Sequence, residues 1–71
     1  MSPAEFDALA QLMRLRQSPS REALRLVLCE GKTPKDAETI TGTSWQNTYR
    51  LKASAKKVIE YARLVAGTAP I

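Results

Sequence analysis

The placement of helix-start signals along this chain constrains its fold more than any other feature. Three dipeptides join a hydroxyl residue to a proline: Ser2-Pro3, Ser18-Pro19 and Thr33-Pro34. The hydroxyl can accept a hydrogen bond from the first backbone N–H groups of a helix, and proline suits the first helical position. A fourth start, Thr43-Ser44, directly follows Gly42. Within 71 residues, these signals divide the chain into four short helices.

Apolar spacing predicts the same division. Glycines at positions 31 and 42 stand where a left-handed residue ends a helix. We expect helices at about residues 3–16, 19–30, 34–41 and 44–66, with fraying from Gly67 onward. In the third segment Ala37 and Ile40 are expected to face the core. In the fourth, an apolar seam recurs every three or four residues: Leu51, Ala55, Val58, Ala62 and Val65. The prediction is a small all-α, four-helix domain spanning residues 1–71.

Composition excludes several classes of function. The chain has no histidine and one cysteine, Cys29, so it lacks the residues for a histidine-based catalytic triad, an imidazole zinc site or an internal disulfide. We therefore expect no enzyme activity, no cofactor and no metal.

The longest apolar run covers residues 26–29, far below the roughly 20 residues that cross a bilayer. The early acidic residues do not suit a signal peptide. The expected location is the cytoplasm, away from membranes.

The net charge of +4 is concentrated in the C-terminal part of the chain. Residues 1–31 carry four basic and four acidic side chains, whereas residues 32–71 carry seven basic and three acidic ones. Most of the excess lies on the fourth predicted helix. The first two helices, residues 3–30, are therefore interpreted as a scaffold, and the C-terminal part is expected to contact an anionic partner, with nucleic acid first.

A short helix, a glycine turn and a longer basic helix predict a helix-turn-helix over about residues 33–66. Ala37 allows close packing, Gly42 allows the turn, and Leu51 and Ala55 anchor the second helix. Its outward face would enter the major groove of DNA. The candidate base contacts are Ser44, Trp45, Gln46, Tyr49 and Arg50, and the candidate phosphate contacts are Lys32, Lys35, Lys52, Lys56 and Lys57.

Five positions of the fourth helix share one side, which we call the basic stripe: Trp45, Tyr49, Lys52, Lys56 and Arg63. A positive surface with aromatic rings suits a phosphate backbone, but a basic stripe is also typical of a solvated helix face. Trp45 can equally be a core or interface residue. These alternatives stay open at the level of sequence.

The segment from residue 30 to residue 57, which begins EGKTPKDAETITGTSWQNTYR, resembles small plasmid repressors of the KorA/TrfB type. Residues 20–28 also resemble the helix that precedes that motif. The resemblance covers about 45 residues and implies an all-α fold and a homodimer that binds palindromic operators and silences transcription. The chain departs from the family pattern at Glu38, where a small residue is usual, and at Thr48, where a β-branched apolar residue is usual. Glu38 is expected to turn outward.

Two functions follow as hypotheses. The first is a plasmid or phage transcriptional repressor that binds double-stranded DNA sequence-specifically as a homodimer. The dimer surface is expected on the exposed end of the seam, around Ile59, Ala62 and Val65, or on the first helix with Leu12 and Leu15. The alternative is a small phage- or plasmid-encoded inhibitor that uses the same helices to bind a host protein, with Trp45, Tyr49 and Arg50 as its main contacts.

Overall fold

Four helices make up the fold in a computed structural model, which describes residues 1–68. They are α1 (Pro3–Leu12), α2 (Pro19–Glu30), α3 (Pro34–Thr41) and α4 (Trp45–Thr68). The described part of the chain contains no strand, so the predicted all-α class is confirmed. The molecule measures 45 × 19 × 18 Å, and no helix in its described part is long and apolar enough to cross a membrane.

Side-chain caps begin the first three helices where the sequence predicts them. Ser2 Oγ accepts a hydrogen bond from the Glu5 backbone N–H (3.2 Å), and Glu5 Oε1 accepts one from the Ser2 N–H (3.0 Å). This reciprocal pair lowers the pKa of Glu5, because the hydrogen bonds stabilise the ionised carboxylate. Ser18 Oγ caps α2 by accepting a hydrogen bond from the Arg21 backbone N–H (3.2 Å), without a reciprocal partner. Thr33 and Asp36 form a second reciprocal pair at the start of α3. Each helix therefore begins at its proline.

Helix α1 is shorter than predicted, ending at Leu12 rather than near residue 16. Arg14 adopts a left-handed conformation with φ of 55°. Its N–H donates to the Gln11 carbonyl (3.0 Å), and the Leu15 N–H donates to the Ala10 carbonyl (2.9 Å). These are the two hydrogen bonds of a Schellman cap, and Leu15 packs on the core as such caps favour. The end was not predicted because arginine occupies a position where glycine is usual.

Replacing Arg14 by glycine is expected to stabilise the fold by about 0.5–1 kcal/mol, because glycine enters the left-handed region without the steric cost that a Cβ adds. Urea unfolding followed by circular dichroism measures the change. Arg16→Gly serves as the matched control, since no left-handed conformation occurs there, and it is expected to bring no gain. Equal stability of the wild type and Arg14→Gly would contradict the assignment of this cap.

The core consists of two adjoining clusters. One joins α2 to α3 through Ala23, Leu26, Val27 and Ala37. The other joins α1 to α2 through Phe6, Ala10 and Leu24, and Leu51 of α4 packs against it. Leu28 packs against both clusters and links them. Helix α2 is therefore the centre of the fold, and the other helices are positioned by their contacts with it.

One of the two predictions about the inward face of α3 is wrong. Ala37 is buried, as predicted, but Ile40 is 59% exposed and does not face the core. Helix α3 has only eight residues and buries one narrow side at Ala37. Ile40 follows Ala37 by three residues and is therefore rotated about 60° from it around the helix axis, outside this narrow side.

Cys29 is half-buried beside the second cluster, and its thiol donates a long hydrogen bond to the Ser2 carbonyl (3.9 Å).

Helix α4 is one continuous element, and its bounds differ from the prediction at both ends. It begins at Trp45, because Ser44 is outside the helix as its cap, and it continues through Gly67 to Thr68 instead of fraying at Gly67. The predicted fraying of residues 69–71 lies outside the described residues. Ala55 is buried and Leu51 and Val58 are half-buried, whereas every residue from 60 to 67 is exposed. The apolar seam thus extends beyond the core.

Candidate nucleic-acid interface

A three-residue turn, residues 42–44, joins α3 to α4. Gly42 has a φ of 79°, and its N–H donates to the Glu38 carbonyl at the end of α3 (2.8 Å). The Thr41 hydroxyl donates to the Ala37 carbonyl (2.8 Å) and accepts from the Thr43 N–H (3.2 Å). Thr43 itself is buried. The turn is therefore held by hydrogen bonds on both sides, which fixes the direction in which α4 leaves it.

Thr48, one of the two departures from the family pattern, is fully buried in the second turn of α4. Its hydroxyl donates to the Ser44 carbonyl one turn earlier (3.3 Å). This bond satisfies the polar atom within its own helix, so the side chain can occupy an apolar position without the cost of an unpaired hydroxyl. Thr48 thus serves the packing role that a β-branched apolar residue would serve.

Glu38, the other departure, does not turn outward as predicted. It is half-buried, and its Oε2 accepts a hydrogen bond from the Trp45 backbone N–H, the first of α4 (3.0 Å). Ser44 Oγ accepts another from the Asn47 N–H (3.3 Å). A carboxylate at this end of a helix also interacts favourably with the helix dipole. Glu38 therefore caps α4 from α3 and links the two helices across the turn.

Removing this cap is expected to destabilise the protein. Glu38→Ala leaves the Trp45 N–H without its acceptor and should lower the free energy of unfolding by about 1 kcal/mol. Glu38→Gln, the matched control, keeps an oxygen acceptor and should cost less than half as much. Denaturant unfolding of the three proteins tests the contact. Equal stability of Glu38→Ala and the wild type would contradict it.

Helix α4 is also tied to the scaffold at its first turn. The Asn47 side-chain amide donates to the Ser20 hydroxyl on α2 (3.0 Å). Neither this hydrogen bond nor the Glu38 cap was predicted, because each joins residues that are distant in sequence or separated by a turn. Together they hold the first turn of α4 against both α2 and α3. The candidate base-contacting residues therefore project from a positioned helix end rather than from a loop.

All five candidate base contacts lie at the surface of the first two turns of α4 or just before it. Trp45 is 38% exposed and Tyr49 is 61% exposed, and Ser44, Gln46 and Arg50 are exposed as well. Trp45 is thus not a core residue. Gln46 and Arg50 are one helical turn apart and share a side of the helix. The donors and acceptors of this set can reach a partner without any rearrangement of the core.

The candidate phosphate contacts surround this set. Lys35, in the first turn of α3, places its Nζ over the Trp45 ring, 5.8 Å from the centroid, which is a cation–π distance. Tyr49, Lys52 and Lys56 line one shallow depression together with Ala53. The predicted grouping of these three members of the basic stripe is therefore seen in the structure. Lys32 and Lys57 are exposed as well, but neither lines this depression.

The ion pairs are distributed unevenly over the chain. Among the described residues they join Arg21 to Asp7 (3.3 Å), Arg25 to Glu22 and Arg25 to Glu30 (2.8 Å), all within the first thirty positions. The hydrogen bonds from Arg25 lower the pKa of Glu22, since they stabilise its charged form. Within residues 1–68, the basic side chains from Lys32 onward form no ion pair. The scaffold therefore pairs two of its four arginines, Arg21 and Arg25, whereas the basic side chains from Lys32 onward stay available to a partner.

Other kinds of site find little support in the described residues. Between residues 1 and 68 no three histidine, cysteine, aspartate or glutamate side chains lie close enough together to hold a metal ion. A second groove, between α1 and α4, is lined mainly by apolar residues. Arg63 of the basic stripe lies on its rim, whereas the lysines of the stripe do not line it. Comparison with models of known families, with curated proteins and with solved structures gives no match to this chain.

Proposed function

We propose that this protein is a sequence-specific DNA-binding transcriptional repressor whose α3, turn and α4 act as a helix-turn-helix. The first turns of α4 enter the major groove, and the protein binds a palindromic operator as a homodimer. One observation carries the proposal: the ion pairs of the described residues lie in the scaffold, whereas the basic side chains around the start of α4 are exposed and unpaired. Such a surface attracts a polyanion.

The side chains offer both kinds of contact that a DNA reader needs. The Arg50 guanidinium can donate a bidentate pair of hydrogen bonds to the major-groove edge of guanine. The Gln46 amide can donate to and accept from the major-groove edge of adenine. Ser44, Trp45 and Tyr49 complete the set that faces the bases. Phosphate contacts fall to five lysines around them: Lys32, Lys35, Lys52, Lys56 and Lys57. The phosphate contacts position the helix, and the base contacts give the specificity.

The resemblance of residues 30–57 to KorA/TrfB repressors agrees with this assignment and suggests a plasmid or phage origin. Both departures from that pattern are compatible with a working motif, because Thr48 is buried with its hydroxyl satisfied and Glu38 caps α4. A repressor of this kind acts on DNA in the cytoplasm. The proposal assigns the chain a binding role and no catalytic one.

The salt dependence of duplex binding tests the proposal. If the five lysines of one protomer contact phosphates, the affinity for duplex DNA is expected to fall by about 500-fold per bound protomer between about 50 and 200 mM salt, because each contact releases condensed counterions. Fluorescence anisotropy with a labelled random duplex measures this. Absence of binding at the lower salt, or an affinity that changes less than about tenfold between the two conditions, would count against the proposal.

Exposed aromatic side chains support a second candidate, a small inhibitor of a host protein. Trp45 and Tyr49 stand beside Arg50 at the surface, and these three residue types dominate the binding energy of protein interfaces. The same anisotropy experiment separates the two functions. Failure to bind any duplex at low salt, together with specific retention of one host protein that Arg50→Ala abolishes, would favour the inhibitor.

A further inference from the structure

The last two turns of α4 extend beyond the core with an apolar composition. Residues 60–67 are all exposed, although five of the eight are apolar or aromatic, and Tyr61 is 63% exposed. A solvated helix extension is normally polar, and a short helical segment gains little stability without packing. The composition of this segment is therefore typical of a helix that packs against another surface.

The surface beside this extension is an apolar groove between α1 and α4, which we call the α1–α4 groove. Val58, Ile59 and Ala62 form one wall, Ala8 and Leu12 contribute to the other, and Leu12 is 65% exposed. The groove encloses about 310 Å³. Glu5 lies on the α1 wall and Arg63 on the α4 wall. The groove thus has an acidic rim on one side and a basic rim on the other.

We infer that a second copy of this chain occupies the α1–α4 groove, with the ends of the two α4 helices packed around a two-fold axis near Ala62. The inference rests on the proposed function and deepens it by naming the dimer interface. The groove carries one acidic and one basic rim residue, Glu5 and Arg63, so two copies can meet there without net electrostatic repulsion. The unpaired lysines of α3 and α4 repel one another, which disfavours contact between copies at the DNA-binding end.

The length of α4 agrees with this placement of the axis. Thr48, in the middle of the candidate DNA contacts, precedes Ala62 by fourteen residues, or about 21 Å of helix. If the two α4 helices packed strictly antiparallel, their Thr48 residues would be about 42 Å apart along the helix direction. If the helix axes crossed at about 50°, this separation would fall to about 38 Å. Successive major grooves on one face of DNA are about 34–36 Å apart. The interface therefore sets the two α4 starts near the required spacing.

Sedimentation equilibrium without DNA tests the inference, with the wild type studied from about 1 to 100 μM. We expect a dimer, and we expect Leu12→Glu and Ala62→Glu each to raise its dissociation constant at least about 100-fold, because each places a carboxylate in the apolar contact. Gln11→Glu is the matched control, since Gln11 is exposed on α1 but outside the groove, and its dimer should persist. Circular dichroism confirms that each variant is folded.

Three results would overturn the inference: a monomeric wild type throughout the concentration range, a dimer that survives both groove variants, or one that Gln11→Glu disrupts equally. The outcome is separate from that of the proposed function, because no DNA is present. A protein that dimerises as described but binds no duplex would refute the repressor and leave the interface standing. A monomer that binds duplex DNA would refute the interface and leave DNA binding standing.

Discussion

Replacing Lys52 and Lys56 together by glutamate is expected to lower the affinity for duplex DNA by at least about 1,000-fold at 150 mM salt, because two phosphate contacts are lost and two repulsive charges take their place. The double substitution also brings the net charge from +4 to zero. Both lysines are exposed and line the same depression beside Tyr49, so the fold should be unaffected. Fluorescence anisotropy measures the affinity, and circular dichroism checks the fold.

A matched double variant separates the position of these charges from their number. Arg14→Glu/Arg16→Glu makes the same change in net charge at two exposed positions of the turn between α1 and α2. We expect it to weaken binding by about tenfold, through the general field alone. An equal loss in both double variants would show that net charge, rather than the stripe on α4, determines the affinity.

The largest expected effect on stability is that of Phe6→Ala. The Phe6 ring is 2% exposed, packs with Ala10 and Leu24, and lies under the Arg21 guanidinium at 5.7 Å. Its truncation should cost about 3–5 kcal/mol, through lost burial and the cavity that remains. A domain this small is expected to have a free energy of unfolding of only about 5 kcal/mol, so the variant should be largely unfolded near its physiological temperature.

Thermal unfolding monitored by circular dichroism tests this expectation. Gln11→Ala is the control, because Gln11 lies on the same helix but is exposed and outside the α1–α4 groove, and a loss below about 0.5 kcal/mol is expected there. A Phe6→Ala protein that lost less than about 1 kcal/mol would contradict the role of this ring as the anchor of α1. It would also put in question the support that α2 gives to α4 through the same cluster.

Local chemistry explains why most of the fold could be predicted from the sequence. The starts of α1, α2 and α3 depend on side chains within three residues of the cap, as at Ser2 with Glu5 and Thr33 with Asp36. Gly31 and Gly42 both adopt positive φ, as a left-handed helix end requires. These signals act over a few residues of sequence. They therefore need no knowledge of the tertiary structure.

The parts that could not be predicted depend on contacts between elements. Arg14 ends α1 because Leu15 packs on the core, and nothing in the local sequence marks that position as left-handed. Ile40 remains exposed because α3 buries only a narrow side. Glu38 caps α4 across the turn. The helix-turn-helix pattern has a small residue at this position, so it gives no indication of such a cap. Each outcome is decided by packing between helices rather than by local preference.

For the candidate site, the sequence predicted which side chains share the exposed face of α4. The structure adds the contacts that fix this face relative to α2 and α3. Tyr49, Lys52 and Lys56 were expected on one stripe, and they line one depression. Neither the stacking of Lys35 over Trp45 nor the Asn47–Ser20 hydrogen bond has a local signature. Helical periodicity predicts a shared face within one helix, but not the contacts that join different helices.

Selection of bound duplexes from a random pool shows whether the start of α4 reads DNA as part of a dimer. We expect recovery of a palindrome whose half-site centres lie about one helical turn, or 10 base pairs, apart. We also expect that Arg50→Ala relaxes the preference for guanine at one position of each half-site. A pool that shows no enriched sequence after repeated rounds, despite a folded protein, would contradict sequence-specific binding by α4.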